Sequence, residues 1–270
     1  MSLACGENYS AAAAAFDRVA SSYDESFTHT AIGRAQRKQV WTRLLAVFPP
    51  GSRILELNCG TGEDARFLAT RGRSVLSCDA SGAMIEVSKW RSSSFTNLEY
   101  RQIANESLDV LSGEEPFDGA FSNFSGLNCV KDLRLVASQL ATLVKPGARI
   151  VLCLWSRVCL TEVLWYLLHG KAKKALRRFS GESSATFAGI RMPVYYPSVT
   201  RIRGSFAPWF RLKSRSAIGL FVPPSYVESW INQHPKTLAT LERLDRACSE
   251  WPILRDIGDH VLLEFVRCNP

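Results

Sequence analysis

None of the eight cysteines in this 270-residue chain (Cys5, Cys59, Cys78, Cys129, Cys153, Cys159, Cys248 and Cys268) forms a Cys-x-x-Cys pair. The spacing therefore lacks the signature of a zinc ribbon or a thioredoxin-like redox site. The cysteines are also too sparse for a disulfide scaffold. Several sit in apolar stretches, where a reduced thiol acts as a small hydrophobe, and a reducing, cytoplasmic setting is expected. No apolar run approaches the ~20 residues that span a bilayer. The alanine run Ala11 to Ala15 lacks a basic lead and a long apolar core, so a secretory signal is not expected. The four histidines (His29, His169, His234 and His260) are scattered and suggest neither a triad nor a metal set. With 46% hydrophobic and 21% charged residues, disorder, collagen-like repeats and coiled coil are excluded. No internal repeat or low-complexity segment appears.

What remains is ordinary globular composition, long enough for one large domain or two small ones with a substantial core. The charge, however, is uneven. The chain carries +8 overall, yet the window from Ser156 to Arg215 holds twelve basic residues and only two acids, Glu162 and Glu182. That window is +10 and the rest of the chain is −2. One segment carries the basic character.

From Arg53 to Trp155, short β-branched or apolar runs alternate with longer amphipathic ones. Strands are predicted at Arg53 to Leu57, Ser74 to Cys78, Leu98 to Gln102, Asp118 to Ser122 and Arg149 to Trp155. Helices are predicted at Glu63 to Thr70, Ala83 to Trp90 and Asp132 to Leu143, the last ending at Lys145-Pro146-Gly147. Continuous apolar strands alternating with helices argue for a doubly wound, mostly parallel α/β sheet. Beyond Trp155 the alternation fails. There the pattern predicts one helix from Leu160 to Arg178, a Gly/Ser-rich loop, and an extended piece at Pro193 to Pro197. A strand from Phe210 to Val222, a helix from Tyr226 to Cys248 and a last strand from His260 to Val266 follow. The expected organisation is a core formed by residues 1–155 and 209–270, with a basic inserted cap over 156–208 after the fifth strand.

The most informative segment is Ile54 to Ala65, strand, glycine-rich turn and helix. Gly60 and Gly62 permit positive φ and close backbone approach to a ligand, and Asn58 tolerates the same conformation. Asp79 ends the second strand nineteen residues after Gly60, about the spacing at which an acid meets a nucleotide ribose. Gly60-x-Gly62-x-x-Ala65 also fits a dinucleotide fingerprint, in which a helix N-terminus receives a pyrophosphate. Glu63 and Asp64 stand where that dianion would lie, and Glu56 adds a third negative group. Acids around such a loop suit a ligand with a positive end and no phosphates. S-adenosylmethionine has a sulfonium and an ammonium, so electrostatics favours the methyl donor over a nicotinamide dinucleotide.

On these residues the chain resembles a known family. LELNCGTG and the acid of SCDAS are similar to the first motif and its acidic partner in class I S-adenosylmethionine-dependent methyltransferases. FDGAFSNFSGLNCV and LVKPGARIVLCLW resemble that family's fourth and fifth strand regions. AFDRVASSYDESF resembles the lead-in of the small-molecule branch that includes ubiquinone- and biotin-pathway enzymes. The resemblance implies a seven-stranded, mostly parallel Rossmann-like sheet. It also implies a cofactor site built from matching positions. Glu56 would face the methionine ammonium, and Asn58, Cys59, Gly60 and Gly62 would form the loop along the methionine moiety. Asp79 would hold the ribose hydroxyls, with Ala80 and Met84 beside the adenine. Asn123 and Phe124 would border the reacting methyl, and Tyr23 would fold over the cofactor. Two positions depart from the family pattern. Asn58 replaces the first motif glycine, and Ala104 and Asn105 stand where an acid usually reads the adenine amino group.

Methyl transfer from a sulfonium is an in-line displacement whose protein contribution is alignment and exclusion of water. No catalytic residue is singled out, and a general base is needed only if the acceptor loses a proton. His260 opens a strand, where a structural role is expected, whereas His169 and His234 are remote candidates for a pocket. Trp155, Tyr195 and Tyr196 are candidate acceptor walls or cap core. The basic cap fits a solvated face, an anionic small-molecule acceptor, or a nucleic acid or lipid surface. The run from Leu160 to Arg178 is apolar first and basic second rather than divided into opposed faces, so it is expected to be a poor interfacial helix. Transfer to a small, possibly anionic, molecule is the leading expectation. A transfer-RNA methyltransferase and a non-catalytic or nicotinamide-binding protein are the alternatives.

Overall fold

The computed structural model describes residues 3–269. Five strands come first: β1 (Arg53–Leu57), β2 (Ser74–Asp79), β3 (Leu98–Gln102), β4 (Phe117–Ser122) and β5 (Val144–Trp155). A hairpin of β6 (Glu182–Phe187) and β7 (Ile190–Tyr195) follows, then β8 (Phe210–Ile218) and β9 (His260–Arg267). The main sheet has seven strands in the order β3-β2-β1-β4-β5-β9-β8, with β9 antiparallel to both neighbours and β1 to β5 parallel. This is the Rossmann-like arrangement expected, with the order reversing between β1 and β4. That switch leaves a crevice at the carboxyl ends of β1, β2 and β4, where open α/β sheets bind ligands.

Among the described residues ten α-helices accompany the sheet: α1 (Leu3–Val19), α2 (Ala31–Val47), α3 (Glu63–Ala69), α4 (Gly82–Arg91), α5 (Leu133–Leu143), α6 (Leu160–Leu168), α7 (Ala172–Ala175), α8 (Val199–Phe206), α9 (Glu228–Gln233) and α10 (Pro235–Cys248). Two hydrophobic clusters cover the two faces of the sheet. Leu55, Leu57, Ile150, Leu152 and Phe265 join α5 and α8 on one side. Ile54, Val75, Phe121, Val151 and Cys153 join α2 and α3 on the other. The near-continuous burial of β1, β4 and β9 explains why their sequences read as apolar runs. Helix starts are fixed by local chemistry. Asp132 accepts from the amides of Arg134 and Leu135 at 2.9 and 3.3 Å, and Ser81 from Met84 at 3.1 Å. The first amides of α2 bond instead to the distant carboxylate of Glu228, at 2.6 and 3.0 Å.

Several boundaries differ from the sequence expectation, each for a physical reason. The single helix predicted over Leu160 to Arg178 is two helices, because Gly170 turns the chain at φ +68°. The helix predicted over Tyr226 to Cys248 breaks where Pro235 begins α10. The Gly/Ser-rich segment is the hairpin β6–β7, closed by Ala188 and Gly189 at positive φ, which favours a two-residue turn of the primed type. Helix α8 lies inside the predicted cap range, yet its Ile202 and Phe206 are buried in the main core. No helix among the described residues is long and apolar enough to cross a membrane.

Candidate active site

The crevice beyond β1, β2 and β4 is a pocket open at its mouth. Its floor is the loop after β1. Asn58 adopts φ +50° and Gly60 φ +55°, and a side chain at Gly60 would project into open space. The Asn58 carboxamide spans the floor, accepting from Ser122 Oγ at 2.7 Å and donating to the Asn123 carbonyl at 3.0 Å. Gly126 is required beneath it, since a Cβ there would lie 2.1 Å from Asn58 Cγ.

Asp79 ends β2 with both carboxylate oxygens tied to the pocket's backbone. It accepts from Gly60 N and Ser81 N, each at 2.9 Å. Burial raises its pKa, and those amide hydrogen bonds oppose the rise. Ala80, Met84 and Asn105 continue the wall on this side. On the opposite side Arg37 and Asp64 form a buried ion pair at 2.7 Å. Asp64 also accepts from Trp41 Nε1 at 2.6 Å and Asn123 Nδ2 at 2.9 Å. The Arg37 guanidinium lies 4.7 Å from the centre of the Phe124 ring, and its Nε has no hydrogen-bond partner.

Phe124 and Ser125 are consecutive non-glycine residues at φ +45° and +70°. Such conformations cost of order 1–3 kcal/mol each and concentrate at functional sites. The turn is held by Asn123 Oδ1 on Phe124 N at 2.9 Å and by the Cys153 carbonyl on Ser125 N at 3.1 Å. It presents the Phe124 ring to Phe27, His260 and the pocket. Tyr23 closes the site from a π-helical turn over Asp24–Thr28, and burial lifts its hydroxyl pKa to about 12. Asp24 anchors that turn through Thr61 Oγ1 at 2.6 Å and through Arg91, which also binds Glu63. Ala12, Ala13 and Phe16 of α1 complete the rim. The hairpin β6–β7 packs against α1 through Phe16 and Phe187, with ring centres 5.2 Å apart.

Of the residues expected from sequence, Tyr23, Asn58, Cys59, Gly60, Asp79, Ala80, Met84, Asn105, Asn123 and Phe124 line one pocket. Three do not. Glu56 is buried beneath the floor, where it accepts from Ser77 Oγ at 2.6 Å. Burial, with the nearby charge of Asp64, holds its carboxyl well above the usual carboxylate range. Gly62 caps α3 at φ +77°, and its missing side chain makes room for the Tyr100 hydroxyl, which a Cβ would meet at 2.8 Å. The Ala104 carbonyl accepts from Ser107 N in the turn after β3, so only its neighbour Asn105 reaches the pocket. The Arg37–Asp64 pair and the α1 rim were not anticipated. Arg37 lies in a helix with no motif of its own, but Asp64, noted as an acid, needed a buried partner.

His260 is buried against Phe124 and Trp155, touches the pocket wall without lining it, and has its pKa pushed down to about 4 by burial. His234 stacks on Trp230 and His169 lies tilted against Trp165, each four residues earlier and outside the pocket. Tyr196 stacks on Trp155 at 6.1 Å and is buried in the cluster of α1 with the hairpin. Tyr195 gives its carbonyl to Asn128 Nδ2 at 2.7 Å. None of the twelve basic residues from Arg157 to Arg215 lines the pocket. The seven cysteines with described side chains are free thiols, and the Cys5 side chain lies outside the described ones.

Sheet order, glycine loop and the acid after β2 define a nucleotide-type pocket on a Rossmann-like sheet, and comparison with known proteins narrows its class. Residues 54–147 match the family of methyltransferase domains. The demethylmenaquinone methyltransferase of Clavibacter sepedonicus is 34% identical over 143 residues, covering 53% of this chain and 57% of that protein. The 2-phytyl-1,4-naphtoquinone methyltransferase of Synechococcus elongatus is 30% identical over 144 residues, 50% of this chain and 59% of that protein. The chain thus covers less than two thirds of the length of either relative. An S-adenosylmethionine-dependent methyltransferase from Mesorhizobium loti shares the fold at a TM-score of 0.53 and 19% identity, over 84% of this chain and 97% of that one. An N-methyltransferase from Bradyrhizobium japonicum, solved with S-adenosyl-L-homocysteine, does so at 0.55 and 13%, over 90% of each chain. Residues 54–147 thus match a methyltransferase domain, and about half of the chain is similar to quinone methyltransferases.

Proposed function

We propose that the protein binds S-adenosylmethionine in this pocket and transfers its methyl group to a small, flat, largely apolar acceptor. The observation that carries the reading is the charge of the lining. Glu63, Asp64 and Asp79 face the pocket against one cation, Arg37, which is already paired with Asp64. A cationic donor is favoured there and a pyrophosphate is opposed. When bound, S-adenosylmethionine supplies a methyl group on a sulfonium, open to in-line displacement by a nucleophile. In this reading Asp79 receives the ribose hydroxyls, while Ala80, Met84 and Asn105 border the adenine. Asn58, Cys59 and Gly60 line the methionine portion, with Glu56 beneath them. Asn123, Phe124 and Tyr23 surround the reacting end.

The acceptor class follows from the same wall. Phe16, Tyr23 and Phe124 offer aromatic surface, suited to a planar ring. An anionic acceptor, raised by the basic segment, finds no unpaired cation in the lining. The quinone-directed names of the relatives agree with a planar acceptor. Tyr23, kept protonated by burial, can donate a hydrogen bond to such a ring but does not serve as a base. The test is transfer of a radiolabelled methyl group from S-adenosylmethionine to hydroxylated naphthoquinones, compared with transfer RNA. Label in the organic extract is the expected result. Label in RNA alone would overturn the acceptor proposal.

A further inference from the structure

The segment Leu160 to Phe179 is built inside out. Helix α6 buries its acid, Glu162, and exposes its leucines: Leu164 is 52% exposed, Leu167 50% and Leu168 84%. Glu162 is the one buried residue of α6, and its carboxylate is paired on both oxygens. Glu162 receives Arg177 Nε and Nη2, each at 2.9 Å, and Arg178 Nη2 at 2.6 Å. Arg178 continues to Asp259 Oδ1 at 2.8 Å, tying the element to the start of β9. The element is therefore held firmly, yet its apolar side chains point to solvent.

The turn at Gly170 changes the relation between the apolar and basic halves. In one continuous helix they would lie end to end. Instead Lys171 N bonds back to the Tyr166 carbonyl at 2.8 Å, and α7 folds beside α6. Lys174 Nζ comes 5.9 Å from the Tyr166 ring centre. Lys171, Lys173 and Lys174 are consequently exposed on the segment beside α6, as are Leu176 and Phe179. None of the three lysines has an ion-pair partner among the described residues. Tyr226, 5.5 Å from Tyr166 between ring centres, extends the apolar surface onto the next element.

We propose that this patch docks the protein on an anionic lipid membrane surface, the leucines entering the interface and the lysines meeting the headgroups. Exposed leucines beside exposed lysines have the form of interfacial anchors, and each lysine near an anionic leaflet strengthens binding. Other occupants suit the patch less. A second copy across a two-fold axis would set the lysines against themselves. A nucleic acid would find stacking faces in Phe179 and Tyr226 but would leave Leu164, Leu167 and Leu168 uncovered. The proposal does not depend on the donor or acceptor above, because docking is read without either.

The experiment is sedimentation of the full chain with phosphatidylcholine vesicles and with vesicles that also contain phosphatidylglycerol, at low and high salt. Binding to the anionic vesicles alone, weakened by salt, is expected. Replacing Lys171, Lys173 and Lys174 together by Ala lowers affinity roughly 100-fold, about fivefold for each lysine. The double variant Leu167→Glu with Leu168→Glu abolishes binding. Both variants alter exposed side chains, so thermal melts matching the parent accompany these losses. If the leucine variant melts lower, the lysine variant and the salt series still decide. No sedimentation with anionic vesicles, or sedimentation unchanged in the lysine variant, overturns the proposal. So does a dimer in sedimentation velocity that Leu167→Glu dissociates, or RNA binding that the lysine variant loses without any vesicle binding.

Discussion

Asp79→Ala separates a residue that recognises a ligand from one that merely shapes a loop. In the free protein its carboxylate receives two amides, Gly60 N and Ser81 N, each at 2.9 Å. Truncation leaves both amides without an acceptor, but Asp79 lies at the edge of the pocket and is only partly buried. Water can reach the freed donors, so the stability loss stays near 1 kcal/mol. Binding suffers more. Hydrogen bonds to a charged acceptor are worth about 1.5–3 kcal/mol each, and part of that is regained by water in the variant. A net loss of about 1–3 kcal/mol, roughly 5- to 150-fold in dissociation constant, is expected. Calorimetry with S-adenosylmethionine and with its 2′-deoxyribose analogue resolves the two roles. The parent discriminates between these ligands, whereas the Asp79→Ala variant binds both alike. Equal discrimination in parent and variant would refute the placement of the ribose, even if overall affinity fell.

Three other perturbations follow from the same geometry. Burial and the charge of Asp64 raise the Glu56 pKa in the folded state, so its contribution to stability is full below the unfolded value and lost as pH rises through the folded one. Glu56→Gln therefore melts like the parent near pH 4 and higher at pH 8; a difference independent of pH would contradict this. His260 has a folded pKa lowered to about 4 by burial. Its stability contribution is full above the ordinary value near 6.5 and drains away as pH falls toward 4, by about 3 kcal/mol; urea unfolding of the parent and of His260→Gln between pH 7 and 4 should diverge in slope by that amount. Gly126→Ala drives a methyl group into Asn58 and should weaken cofactor binding at least tenfold with a stability loss of about 1–3 kcal/mol, which calorimetry and thermal melts read separately.

The parts of the molecule legible in sequence are those whose cause is local. β1 reads as a strand because all but its first residue are buried between helical layers, and the loop after it reads as special because its backbone needs positive φ. Asp79 was legible through its position at the end of β2. Arg37 was not, because its meaning lies in a partner 27 residues away in another helix. The hairpin β6–β7 hid behind serines on a half-exposed strand, although Ala188-Gly189 between two alternating runs carried a turn signal. The run from Leu160 to Arg178 misled for a related reason. It was read as one helix and a poor interfacial element, whereas it folds as two helices whose buried member is Glu162, a preference set by Arg178 and Asp259 and invisible along the chain. The +10 segment, too, changed meaning: several of its cations pair with acids, as Arg177 with Glu162 and Arg215 with Asp256, and none reaches the pocket.

The central claim is that an acid-lined pocket on this sheet takes a cationic methyl donor in preference to a dinucleotide. Titration calorimetry of the unmodified chain with S-adenosylmethionine and with NAD tests it most directly. The account predicts saturable binding of the first, with a dissociation constant on the order of micromolar, about −8 kcal/mol, and none of the second. Saturable binding of NAD with no heat from S-adenosylmethionine would contradict it.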